Sequence, residues 1–215
     1  MDSHLQIISG KYRGRKLSMP PSARPTQNRA RIALFNMLDE IRKSGVGSRE
    51  SCLSNASHLG TSRFPESESS RLLIPDSRFT VWDAFAGSGA FGIEFLSRNW
   101  AKCVIFTDTD ADAVKAIRKN LTGIDFDAVV YQKDALVAAK EFGKASDVVF
   151  IDPPYDKPEL GERLVSMLAE MAKPGTIIIL EKEKGKREEE KGNENFTILK
   201  DKIYGRSHFF IMRKN

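Results

Sequence analysis

The most chemically specific segment of the chain is Asp147-Val148-Val149-Phe150-Ile151-Asp152-Pro153-Pro154-Tyr155, an apolar run that ends in a carboxylate, two prolines and an aromatic. Prolines stop a strand and stiffen the turn after it. In an open parallel sheet ligands bind at the carboxyl edge, where this turn has to lie. The residue types suit an exocyclic amine of a nucleic-acid base. Such an amine is a poor nucleophile, because its lone pair is delocalised into the ring. The Asp152 carboxylate and the Pro153 carbonyl can both accept its N–H bonds. Together they favour the pyramidal amine that attacks a sulfonium methyl, through positioning and electrostatic stabilisation. Tyr155 can stack on the base, a contact of about 1–3 kcal/mol. The plain alternative is a proline-stiffened turn with an exposed tyrosine.

A second constellation precedes it. Thr80-Val81-Trp82-Asp83-Ala84-Phe85-Ala86-Gly87-Ser88-Gly89-Ala90-Phe91-Gly92 reads as a strand, a glycine turn and a helix start. Glycines let the backbone approach a ligand closely, and a helix N-terminus offers free N–H groups. Gly87, Gly89 and Gly92 satisfy G-x-G-x-x-G, which fits a dinucleotide equally well. Asp108, ending the next strand, suits ribose hydroxyls in either case. Asp83 favours a different cofactor, because a carboxylate interrupting the apolar strand four residues before Gly87 can meet the ammonium of an amino acid. Asp134, after the third strand, can reach an adenine amine or merely cap the helix beginning at Ala135.

Positioning these groups requires alternating strands and helices. Strands are expected at 80–84, 103–108, 128–132, 146–151 and 175–181, with helices near 88–99, 110–121, 134–142 and 158–172. Two more strands follow at 196–203 and 206–213. The rhythm implies an α/β fold with a mainly parallel sheet covered on both faces. The charged stretch from Glu181 to Asn195 reads as an exposed loop. Residues 44–78 hold ten serines among 35 residues and no lasting periodicity, and read as a flexible insertion.

The charge is uneven. Residues 1–43 carry nine Lys/Arg against three Asp/Glu, a net of +6, so the remainder of this +5 chain sums to −1. That asymmetry suggests an arm that binds a polyanion. Gln6 to Leu17 reads as short strands broken by glycine turns. Leu34, Met37, Leu38 and Ile41 recur at helical spacing. Arg29 and Arg31 fall in the first turn of that helix, where positive charge opposes the dipole, so they need another partner. The expected organisation is a basic extension at 1–43, the insertion at 44–78 and a catalytic domain at 79–215. No apolar run is long enough to span a membrane and no signal peptide is read at the start, so a cytoplasmic setting is expected. Cys52 and Cys103 lack partners at metal-ligand spacing, and no metal site is expected.

On Ile7-Ile8-Ser9-Gly10-Lys11-Tyr12-Arg13-Gly14-Arg15, Arg24-Pro25-Thr26, Leu34-Phe35-Asn36, the Asp83 to Ala90 loop, Ser97-Arg98, Asp152 to Tyr155 and Tyr204-Gly205, the chain resembles the RsmD family of 16S ribosomal RNA guanine-N2 methyltransferases. The resemblance spans residues 5–43 and 79–213. It implies a class I, Rossmann-like methyltransferase fold with a seven-stranded sheet and a small basic β-hairpin and helix extension. S-adenosylmethionine would be held by Asp83, Phe85, Ala86, Gly87, Ser88, Gly89, Asp108, Asp134 and Ala135, with Asp152, Pro153, Pro154 and Tyr155 forming the acceptor site. Lys11, Arg13, Arg15, Arg24, Thr26, Arg29 and Arg31 would bind RNA. The partner would be 16S rRNA, within the small ribosomal subunit or an assembly intermediate, and a monomer is expected. The chain departs from the family pattern at Gln27-Asn28, where the family commonly has Thr-Asp, at Ile32, where it has Glu, and at Asp108, where it has Glu.

Three other readings compete, one of them a protein-glutamine methyltransferase, a group that typically has Asn in place of Asp152. A DNA adenine-N6 methyltransferase uses the same Asp-Pro-Pro-Tyr logic but generally carries a target-recognition domain. An RNA-binding assembly factor without catalysis would not need Asp83, Asp108 and Asp152 together.

Overall fold

Short β-branched and aromatic runs alternate with helical patterns, and in the computed structural model they form the expected layers. The structure describes residues 5–21, 28–44, 78–185 and 194–215. Arg24, Thr26 and the insertion at 45–77, with Cys52 and His58, lie outside these residues. In chain order the elements are α1 (Asn28–Lys43), β1 (Phe79–Asp83), α2 (Ala90–Ser97), β2 (Ala101–Asp108), α3 (Ala111–Leu121) and β3 (Asp127–Gln132). Then come α4 (Ala135–Phe142), β4 (Val148–Ile151), α5 (Glu159–Met171), β5 (Ile177–Glu183), β6 (Phe196–Tyr204) and β7 (Ser207–Lys214). The seven strands form one sheet in the order β3-β2-β1-β4-β5-β7-β6. The first five are parallel, and β7 runs antiparallel to both β5 and β6.

Because side chains alternate along a strand, the two faces of the sheet carry separate cores. Val81, Phe150, Ile177, Ile179 and Phe209 point to the face covered by α1 and α2. Trp82, Val149, Ile151, Ile178 and Leu180 pack on the other side with α4 and α5. The order of strands and the alternation place Asp83, Asp152 and Glu181 at the carboxyl ends of three adjacent strands, β1, β4 and β5. All three continue the α1/α2 face. Parallel pairing of Phe150 with Ile179 and of Ile151 with Leu180 brings Asp152 level with Glu181.

Two expectations are corrected here. Glu181 does not begin an exposed loop. It lies within β5 at 1% exposure, because β7 continues alongside β5 as far as the Glu183–Ser207 pair. Residues 6–17 do not form strands. A single antiparallel bridge joins Gln6 to Lys16, with Ile7 N–H to Arg15 O at 3.0 Å and Leu17 N–H to Leu5 O at 2.9 Å. The polar groups of this turn are spent on the domain instead. Ile8 and Ser9 N–H donate to the two carboxylate oxygens of the buried Glu94 at 2.8 and 2.9 Å. Lys11 N–H donates to Ser97 O at 2.7 Å, Tyr12 N–H to Ser97 Oγ at 3.0 Å, and Ser97 Oγ to Ser9 O at 2.6 Å.

The basic arm is therefore packed into the domain rather than appended to it. Leu5, Ile7 and Leu17 join α1 in the same core as α2. The closest approach is at Gly10, where φ is +84° and an added Cβ would sit 1.9 Å from the Ser97 carbonyl oxygen. Gly10→Ala is expected to destabilise the protein by about 2–4 kcal/mol, since left-handed strain and a backbone clash act together. Urea unfolding checks this, and a change under about 0.5 kcal/mol would show that the arm is loosely held.

Candidate active site

The strand ends and helix starts surround a cavity of about 730 Å³. Its floor is the turn after β1. Trp82 Nε1 donates to Thr107 Oγ1 at 2.9 Å, and Thr107 Oγ1 donates to Ala84 O at 2.8 Å, which fixes β1 against β2. Gly87 and Gly89 have φ of +52° and +74°, conformations that side chains disfavour, and Gly89 caps α2. Gly92 has to be a glycine for another reason, since a Cβ there would meet Phe106 at 2.4 Å. Asn120, unnoticed in the sequence, ties the loop to the arm. Its Nδ2 donates to Ser18 O and to Ser88 O at 2.8 and 2.9 Å, and its Oδ1 accepts from Ser18 N–H at 2.7 Å.

Each candidate carboxylate has a distinct setting. Asp108 Oδ2 accepts from Gly87 N–H at 2.8 Å and Oδ1 from Asp110 N–H at 2.9 Å, so it braces the glycine turn while lining the cavity. Asp134 Oδ1 caps α4 through Leu136 and Val137 N–H at 2.8 and 3.1 Å, and the residue also lines the cavity with Ala135. Asp83 is 1% exposed; Oδ2 accepts from Gly92 N–H at 3.1 Å, and Oδ1 is buried without a hydrogen-bond partner. Burial pushes its carboxyl up to about 8 against the pull of the Gly92 N–H, and the nearby Asp108 charge adds to the rise.

Asp152, Pro153, Pro154 and Tyr155 line the same cavity. Pro153 is buried, whereas Pro154 and Tyr155 are exposed, as a platform for a flat group requires. Burial raises the Asp152 carboxyl well above the usual carboxylate range, with Glu181 and then Asp83 raising it further. Glu181 accepts from the Ser207 hydroxyl at 2.5 Å through Oε1, and its Oε2 is buried without a partner. Its carboxyl rises to about 7 through burial, although the Ser207 bond works the other way. Glu181 is the functional group that sequence reasoning missed. These three carboxylates are not arranged to hold a metal, nor is any other group of His, Cys, Asp or Glu among the described residues.

The basic residues divide. Lys11, Arg13 and Arg29 are exposed, while Arg15 donates to Thr122 O across the surface. Arg31 belongs with none of them. It is 3% exposed, donates through Nη2 to Gln6 O and at 3.3 Å to Asn28 Oδ1, and lines the cavity. Its reading as a surface RNA contact is corrected, because α1 turns that side inward against the sheet.

Comparison with known proteins decides the family. The family described as Conserved hypothetical protein 95, which is the RsmD family, matches residues 5–56 and 72–213. The chain belongs to it. Ribosomal RNA small subunit methyltransferase D of Haemophilus influenzae is 33% identical over 210 residues, which cover 94% of this chain and 89% of that protein. The Escherichia coli protein of the same name is 30% identical over 163 residues, covering 74% of this chain and 65% of that protein. In three dimensions, a candidate methyltransferase from Escherichia coli, yhhF, has a TM-score of 0.69 at 25% identity and covers 98% of both chains. The fold is that of S-adenosylmethionine-dependent methyltransferases, and S-adenosylmethionine is the cofactor of the family's site. The cavity suits that molecule. Asp83, with its orphaned oxygen, would be available to an ammonium, Asp108 could accept from ribose hydroxyls, and Asp134 could take the adenine amine, since all three line the cavity.

Proposed function

We propose that this protein transfers a methyl group from S-adenosylmethionine to the exocyclic N2 amine of a guanine in small-subunit ribosomal RNA. The reading is carried by Asp152-Pro153-Pro154-Tyr155 at the carboxyl end of β4, facing the same cavity as the Asp83 and Asp108 cofactor groups. The rRNA methyltransferases among its relatives support the choice of substrate. When bound, S-adenosylmethionine supplies an electrophilic methyl on a cationic sulfonium.

The chain's own residues then act on the acceptor. Asp152 and the Pro153 carbonyl accept the two amine N–H bonds and turn the nitrogen lone pair toward the methyl. Methyl transfer to the amine would develop positive charge on that nitrogen beside Asp152, whose carboxylate would stabilise the charge and receive the departing proton. Tyr155 stacks on a base already swung out of its helix. Glu181 suits the neighbouring ring N1–H, because guanine presents N1–H and N2–H side by side on one edge. Adenine has an acceptor at N1, which an ionised Glu181 would repel.

The deciding experiment transfers labelled methyl to small subunits, naked rRNA and DNA, followed by nucleoside analysis. N2-methylguanosine in rRNA is the expected product, and N6-methyladenine in DNA would replace this reading with the competing one. The basic arm is assigned to phosphate contacts that position the RNA. Removing the arm would strip Leu5, Ile7 and Leu17 from the core, so charge substitution is the cleaner probe. Replacing Lys11, Arg13 and Arg29 together with glutamine is expected to lower the log–log salt slope of RNA binding by about 2 while leaving cofactor affinity intact. An unchanged slope would make the arm a solubilising surface.

A further inference from the structure

Arg31 is a cation buried on the α1/α2 face of the sheet, and among the described residues no carboxylate forms an ion pair with it. Its Nη2 is used on Gln6 O and Asn28 Oδ1, while Nε and Nη1 are buried with no hydrogen-bond partner. The carboxylate whose charge acts on it is Glu94, whose oxygens already accept from Ile8 N–H, Ser9 N–H and Arg98 Nε. A buried guanidinium with two orphaned nitrogens is costly unless something completes it. The group remains a cation even though burial lowers its pKa, since arginine starts so far above neutrality.

The lining of the same cavity includes a complementary anomaly. Asp83 Oδ1 is also buried and unpartnered. Ala90 and Phe91, in the first turn of α2, and Gly87 and Ser88 of the glycine turn line the same cavity. One orphaned guanidinium and one orphaned carboxyl oxygen, on residues that continue the same sheet face and line one cavity, match an α-amino acid, which carries an ammonium and a carboxylate on one carbon. The cofactor ends in that group.

We propose that Arg31 binds the carboxylate of the S-adenosylmethionine amino-acid end, opposite Asp83 at the ammonium. Arg31 is thus a cofactor-positioning residue delivered by the N-terminal helix, and α1 closes the cofactor site as well as covering the core. The inference rests on the cofactor alone and not on the choice of guanine or rRNA.

The test compares two ligands on two proteins. Calorimetry measures S-adenosylmethionine and its decarboxylated analogue against the wild type and Arg31→Met, which keeps an apolar stem of similar length. Arg31→Met is expected to weaken S-adenosylmethionine roughly 10- to 100-fold, as for loss of a charge-assisted bond. It should change decarboxylated S-adenosylmethionine less than about twofold. The wild type should itself discriminate between the two ligands by a similar factor, and the variant should not. Equal weakening of both ligands would overturn the proposal and make Arg31 a brace for the Gln6 carbonyl. Unchanged affinity for both would overturn it as well. Loss of RNA binding with cofactor affinity intact would do the same and return Arg31 to the phosphate contacts.

Discussion

Asp152→Ala is expected to lower methyl transfer by about 10²-fold or more while S-adenosylmethionine affinity changes little. The side chain faces the acceptor amine, and the contact strengthens as positive charge grows on that nitrogen, so its loss appears in kcat. The fold should survive, because the substitution removes a carboxylate that Glu181 and Asp83 already repel. Stability in urea should be unchanged or raised. Single-turnover transfer under saturating cofactor, paired with calorimetry, separates the effects. Near wild-type turnover would sink the acceptor assignment, and loss of cofactor binding would move Asp152 to the cofactor site.

Glu181→Gln is expected to lower kcat/KM by about 10- to 100-fold on the guanine substrate and to change the pH profile. Ser207 fixes Oε1, so the amide would place its NH2 where Oε2 now waits. A donor there would face the N1–H donor of guanine, leaving both unpaired. In the wild type Glu181 accepts fully only when ionised, so activity should rise with pH through about 7. The variant should lose that part of the acidic limb.

Stability gives an independent sign. The folded carboxyl titrates near 7, above its ordinary value of 4.5, so the native state holds more protons than the unfolded chain between these values. Wild-type stability therefore falls as pH rises across that window, and the cost is fully present above it. The stability of Glu181→Gln relative to wild type should increase from pH 5 to pH 8. A constant difference would mean that Glu181 titrates normally and faces water.

Most of the scaffold was legible because periodicity is local. β1 to β5 and their helices fall within a few residues of the boundaries that alternation and helical spacing suggest. Two misses, Arg31 and Glu181, share one cause, which is that charge patterns do not say which side of an element is buried. Arg31 was counted with the arm, yet it lies three residues before Leu34 and seven before Leu38, on the apolar stripe of α1. Glu181 was read into the charged run that follows it. The available signal was that an apolar strand ends in a carboxylate there, just as β1 ends in Asp83 and β4 in Asp152. Its burial depends on β7 passing alongside, which only tertiary structure supplies. The 6–17 turn failed as strands because its N–H groups go to Glu94 and Ser97, about 85 residues away.

That separation sets an order of assembly during synthesis. The arm leaves the ribosome before α2, but Ile8, Ser9 and Tyr12 have nothing to bond to until α2 has emerged, and Ser18 waits for Asn120, 102 residues later. Local helices form in microseconds, whereas closing loops of this length is slow and entropically costly. The nascent chain therefore carries a basic, unpaired leading segment while the glycine turn and β2 are still being made. The arm is expected to seat late, over a sheet already begun, with its apolar residues Leu5 and Ile7 exposed meanwhile. Pulse-labelled hydrogen exchange during refolding would see protection at Ile8 and Ser9 trail that of β1 and β2.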